Sequence, residues 1–169
     1  MLSNQEFSEG IRLMPLPCVD FVVINEKDEV MVGKRRNKPA QNIYFAPGGR
    51  IRKNEPHEEA IKRISKAELG IVVDKKKLGW LGIYDHIYEE NFFGEPGFGT
   101  HCIAMAWVFQ INTEWLDLEA AEIQHAHVRW VHASKVLTDE EIHPFTKAYI
   151  RDLYGMDECG VEECGDLKD

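Results

Sequence analysis

The chain has 169 residues, with 20 Lys+Arg against 29 Asp+Glu and a formal net charge of −9. With 44% hydrophobic and 29% charged residues, it has the balance of one globular domain able to bury a real core. An acidic chain without a basic stripe is poorly suited to nucleic acid, which is held by neutralising its phosphates, and no apolar run is long enough to cross a bilayer.

The opening MLSNQEFSEGIRLM has neither a basic leader nor an apolar signal core, which sets the expectation of a cytoplasmic protein. A short helix is expected over 5–13, stopped by Pro15 and Pro17. CVDFVVIN (18–25) and EVMVGKR (29–35), separated by a polar EKD turn, read as a hairpin. Residues 37–50 read as loop except around IYF. The pattern from 56 to 69 is helical: Pro56 suits a first turn, Gly70 suits an exit, and Ala60, Ile61, Ile64 and Ala67 fall on one stripe. WLGIYDHIY (80–88) and HCIAMAWVFQI (101–111) read as long strands flanking a Gly- and Phe-rich loop. HVRWVHA (127–133) reads as a last strand, followed by a helix over about 138–154. The expected domain spans 1–155, with a mobile acidic tail over 156–169. Strands mixed with helices indicate an α+β or mixed α/β domain.

The four cysteines divide into two kinds. Cys18 and Cys102 lie in apolar segments and read as small buried thiols, while Cys159 and Cys164 form a C-x4-C in the acidic tail without a second ligand pair. Asp20 is a lone acid inside an apolar strand, where a carboxylate is costly unless partnered. Glu68 sits at the edge of the apolar stripe of its helix; periodicity alone is also satisfied by a plain amphipathic helix with Glu68 at a solvated margin.

Spacing adds what periodicity leaves open. The segment GGRIRKNEPHEEAIKRISKAELGI (48–71) resembles the Nudix box, G-x5-E-x7-R-E-U-x-E-E-x-G-U, with Gly49, Glu55, Arg63, Glu68, Gly70 and Ile71 in place. It departs at Ile64, Ser65 and Ala67, so two of three carboxylates on one helix face are absent. GKRRNKPAQNIYFAPGGRI, GIYDHIYEENFF, the TH before Cys102, and QHAHVRW extend a resemblance to the GDP-mannose mannosyl hydrolase (GDP-mannose glycosyl hydrolase) branch of that superfamily over roughly 4–135. The resemblance implies a Nudix-fold α/β/α sandwich with a mixed sheet between helices, and a homodimer acting on a small GDP-sugar, with neither nucleic acid nor membrane as partner. The implied reaction is attack of water on the anomeric carbon of GDP-mannose, or GDP-glucose, with inversion and release of GDP and free sugar.

The resemblance also implies roles for particular residues. Glu68, the backbone carbonyl of Gly48, and Gln124 are the implied ligands of one Mg²⁺ ion, with Mn²⁺ an alternative; oxygen donors of this kind suit a hard cation. Arg35, Arg50 and Arg63 match diphosphate-contacting positions, although Arg63 could equally brace the loop by pairing with Glu55. His125 matches the general base, since a neutral imidazole can take a proton from water; otherwise it is a histidine on the loop entering the last strand, and His86 is the fallback base. Asp20 matches a sugar contact that stabilises positive charge at the anomeric carbon, and with His125 and Arg35 it completes the implied catalytic set. Phe7 matches an aromatic placed against guanine. Cys102 replaces a tyrosine near the leaving group, and a thiol is the weaker donor. Two other activities remain open from the sequence: a pyrophosphohydrolase cutting P–O–P, with Glu55, Glu58 or Glu59 as extra metal ligands, and a catalytically silent nucleotide-sugar sensor.

Overall fold

The computed structural model describes residues 2–115 and 125–156. Gln124 and the Cys159/Cys164 tail therefore lie outside the described residues. The chain opens with α1 (Asn4–Leu13), started by a capping box in which Ser3 and Glu6 satisfy each other's backbone N–H groups. The strands are β1 (Leu16–Ile24), β2 (Glu29–Arg35), β3 (Tyr44–Phe45), β4 (Gly48–Arg50), β5 (Gly79–Tyr88), β6 (Thr100–Gln110) and β7 (His125–His132). The helices after α1 are α2 (His57–Leu69), α3 (Ala133–Val136) and α4 (Pro144–Tyr154).

One mixed sheet runs β3-β2-β1-β6-β5, with β4 added against β1 and β7 against β2. β1 is nearly all apolar because both its faces are covered. Val19, Phe21 and Val23 face α2, together with Ala60, Ile61, Ile64 and Leu69. Val22 and Ile24 face α3 and α4, together with Val136, Tyr149 and Ile150. The result is the α/β/α layering expected from the sequence. Complete burial of Ile61 and Ile64 contributes about 1.5–3 kcal/mol for each side chain.

Five expectations need correction. Residues 48–50, read as loop, form β4 because their backbone pairs with residues 18–20 of β1. The 18–35 hairpin pairs only at its turn, through Ile24↔Val30. Beyond that point the strands part: β1 runs parallel to β6 and antiparallel to β4, while β2 pairs β7 and β3. The apolar stripe of α2 turns away from Ala67 to include Ser65 and Leu69. Ser65 can be buried because its Oγ donates to the Lys62 carbonyl (3.1 Å) and accepts from Val73 N–H (3.0 Å). The last strand begins at His125 rather than at 127. The last helix does not fill 138–154: Tyr44 N–H bonds to the Glu141 carbonyl (3.0 Å) and His143 N–H to the Tyr44 carbonyl (2.9 Å), which draws that segment out beside β3. α4 then starts at Pro144, whose ring disfavours helical backbone at His143.

Candidate active site

β1, β4 and β6 meet the ends of β2 and β5 around a cavity of about 330 Å³. Arg35, Lys38 and Arg50 bring positive charge to its wall, and Asp20 and His86 bring acceptors. Phe7, Phe45, Tyr88 and Phe92 supply aromatic surface. Two wall atoms, Arg35 Nε and Thr100 Oγ1, are buried without a hydrogen-bond partner. Buried polar atoms in this state await a ligand or water.

Asp20 points to the α4 side of β1, opposite Gly48 in the β1–β4 ladder. A Cβ on Gly48 would lie 2.0 Å from Asp20 Oδ1, so only glycine allows β4 to approach here. Burial raises the Asp20 carboxyl to about 6, against the opposing effects of a hydrogen bond from Tyr149 and the nearby Arg35 charge; the Glu68 carboxylate pushes in the same direction as burial. Tyr149 of α4 donates its Oη–H to Asp20 Oδ2 at 2.6 Å, and the same Oη lies 3.0 Å from His86 Nε2. His86 stacks flat on Phe145, 4.3 Å between centroids. Burial, with His143 and Arg35 nearby, pulls His86 down to about 4, so it is neutral at neutral pH.

The second cluster is built on α2 and β7. Glu68 occupies the edge of the α2 stripe, and its Oε2 lies 3.0 Å from His125 Nε2. Both side chains are largely covered, yet Nε2 is off the line of a hydrogen bond to the carboxylate. His125 opposes Arg35 across the β2–β7 ladder, and its ring lies directly over Gly33. This unaligned nitrogen and covered carboxylate form a site for a further charged or polar group. Among the described residues, no three His, Cys, Asp or Glu side chains converge. Ile64 is 2% exposed within the core and touches Gly49, where the box pattern has a carboxylate. Among the described residues, Glu68 is the charged oxygen donor of this cluster, and a carboxylate of this kind suits a hard divalent ion.

Asp20, Arg35, Arg50, Phe7 and Gly48 thus share the cavity wall, and Glu68 and His125 pair beside it. Arg63 stands apart from both. Its Nε and Nη2 donate to Glu55 Oε1 and Oε2 (2.6 and 2.8 Å), and Nη2 also donates to the Arg50 carbonyl (2.9 Å). Glu55 in turn accepts from Arg52 N–H, and these bonds hold its carboxyl down at about 2. The guanidinium of Arg50 covers the Phe7 ring at 3.9 Å. Cys18 and Cys102 both line the cavity; the neighbouring Cys102 thiol and burial push Cys18 up, while Cys18 pulls the Cys102 thiol down. Lys38 and Tyr88 lie within resembling segments but had no role assigned from the sequence, and Tyr149 lies beyond them; the folded sheet and helix bring all three to the site.

Known proteins give this geometry a family. The model of the NUDIX domain matches residues 14–153. The low-salt glycan biosynthesis protein Agl8 of Haloferax volcanii is 28% identical over 149 residues, 88% of each chain. The ADP-ribose pyrophosphatase of Methanocaldococcus jannaschii is 37% identical over 73 residues, 43% of this chain and 41% of that protein. Among solved structures, a MutT NUDIX hydrolase from Burkholderia pseudomallei superposes with a TM-score of 0.66 at 18% identity, covering 83% of this chain and 98% of that one. The NUDIX domain of Shewanella oneidensis NrtR, crystallised with ADP ribose, gives 0.61 at 16% identity over 90% and 97%. With its mixed sheet, its helix carrying Glu68 and a match spanning most of its length, the chain belongs to the NUDIX family of hydrolases.

Proposed function

We propose that this NUDIX hydrolase splits GDP-mannose, or GDP-glucose, into GDP and free sugar by attack of water at the anomeric carbon with inversion. The observation that carries this reading is the α2 face: Glu68 alone remains there, beside an imidazole from another element at 3.0 Å. Attack at phosphorus in this family draws on several box carboxylates. Here Ile64 is core, Ala67 has no donor, Glu55 is bound to Arg63 and Glu59 is paired with Lys62. Displacement at carbon needs less: one base on one face of the sugar and a stabilised leaving group on the other.

His125 takes a proton from the attacking water, the water oxygen bonds to C1, and the C1–O bond to the β-phosphate breaks. Asp20 faces the sugar and offsets charge developing at C1. Arg35 and Arg50 hold the diphosphate, with Lys38 on the same wall. Arg63 serves this reading by fixing the end of β4 that carries Arg50, through the Arg50 carbonyl. Phe7, with the Arg50 guanidinium over its ring and Phe92 and Phe93 packed against it, is the aromatic that this reading sets beside guanine. Glu68, the Gly48 carbonyl and Gln124 are the residues that would hold a Mg²⁺ or Mn²⁺ ion, which when bound offsets the charge of the departing diphosphate. Cys102 replaces a stronger donor near the leaving group, so leaving-group assistance rests on the arginines. The same reading places the enzyme in the cytoplasm as a homodimer; exposed Trp80, Ile83 and Ile87 on β5 supply apolar surface for such a contact.

A second reading, cleavage of P–O–P, is favoured by the partial match to an ADP-ribose pyrophosphatase. One experiment separates the two. Incubated with GDP-mannose and Mg²⁺ in ¹⁸O-water, the protein should release GDP and place ¹⁸O in mannose. GMP and mannose 1-phosphate would establish attack at phosphorus, and binding without products would leave a sensor. His125→Gln should lower kcat by about 10²–10⁴ while GDP binding persists.

A further inference from the structure

Tyr149 is fully buried on α4, yet its hydroxyl reaches two cavity-lining groups, Asp20 Oδ2 at 2.6 Å and His86 Nε2 at 3.0 Å. Counting protons fixes the direction of both bonds. The short bond runs from the Tyr149 hydroxyl to the Asp20 carboxylate, whose oxygens can only accept. Burial and the adjacent carboxylate push the phenol up, so it keeps its single proton, which goes to Asp20. The phenol oxygen can then only accept from His86, so Nε2 carries the hydrogen. A neutral imidazole with hydrogen on Nε2 has a bare Nδ1. That atom lies 3.8 Å from Asp20 Oδ2, too far for a hydrogen bond and with no proton to share.

We propose that Tyr149 is a positioning residue whose one hydroxyl proton orients the Asp20 carboxylate and locks His86 in the Nε2–H tautomer. The cavity thereby presents two adjacent acceptors to hydroxyl donors of a bound sugar ring. Phe145 holds the imidazole plane by stacking, so the tautomer and the ring orientation are set by the same helix. α4 therefore couples its docking on the sheet to the acceptor pattern of the cavity. Its identity as a sugar site rests on the proposed function; the tautomer does not.

The test starts with the full chain labelled with ¹⁵N-histidine, with His86 assigned by His86→Gln. At pH 7 the His86 nitrogens should show protonated Nε2 and pyridine-like Nδ1; protonated Nδ1 or an averaged pair would overturn the proposal. This measurement stands even if the sugar assignment fails or the tyrosine variant does not fold. Tyr149→Phe, checked for folding by near-ultraviolet circular dichroism, should release His86 to an averaged tautomer pattern. It should also lower kcat/KM for GDP-mannose by about tenfold or more, while inhibition by GDP alone, which lacks the sugar, changes less than about twofold. An unchanged tautomer in a folded Tyr149→Phe, or an equal loss of GDP and GDP-mannose binding, would refute the role.

Discussion

The His125 ring owes its position to the absence of a side chain at Gly33, and Gly33→Ala isolates that dependence. A Cβ at Gly33 would lie 2.3 Å from His125 Nδ1, 2.4 Å from Cγ and 2.6 Å from Cε1. Restoring ordinary van der Waals contact requires the imidazole to retreat by about 1 Å. The ring is 6% exposed and faces Glu68, so there is little room for it to move. In a strand interior, alanine normally gains about 0.5–1 kcal/mol over glycine. Here the overpacking should reverse the sign and cost about 1–3 kcal/mol. In a His125→Ala background the obstruction is gone, and Gly33→Ala should be neutral or stabilising by about 0.5–1 kcal/mol. Urea unfolding followed by tryptophan fluorescence for the four proteins of this cycle gives a coupling of about 1–4 kcal/mol on this reasoning. Equal costs of Gly33→Ala in both backgrounds would refute it. A displacement of this size should also lower GDP-mannose turnover by about 10²-fold.

Glu55→Gln removes the acid that anchors Arg63, and it should cost about 1–2 kcal/mol at pH 7, since the pair is charge-assisted but partly exposed. Because the Glu55 carboxyl is depressed to about 2 in the folded protein, its contribution is complete above the ordinary carboxylate pKa near 4.5. It should vanish as pH falls from there to about 2. Urea midpoints of wild type and variant that stay equally separated across this window would show that the ion pair is not the source. Glu68→Gln should weaken Mn²⁺ binding, read by electron paramagnetic resonance, by at least about tenfold in the full chain. Undiminished binding would place the ion elsewhere.

Much of the molecule is legible in its local patterns. The apolar run of β1, the 3.6-residue stripe of α2 and the Gly70 exit, which takes φ 74°, are set by neighbours in sequence. The box spacing also singled out Glu68, and QH in register with it singled out His125. What tertiary structure alone decided lies between elements far apart in the chain. Whether Arg63 would bind ligand or brace the loop was open in the sequence, and the approach of Glu55 to 2.6 Å engages it as a brace. The hairpin reading failed because β2 leaves β1 after Ile24↔Val30 to pair with β7 and β3, and β4, distant from the turn, takes up that edge of β1 at Cys18↔Arg50, Val19↔Gly49 and Asp20↔Gly48. Tyr149 reads locally as one more apolar residue of a helix. Its partners, Asp20 and His86, are 129 and 63 residues away, and no local pattern encodes them. Periodicity dictates which face of an element is buried, because that depends on residues three or four apart. Which polar atoms meet inside depends on how the layers dock, and so it is decided only when the sheet and its two helical covers come together.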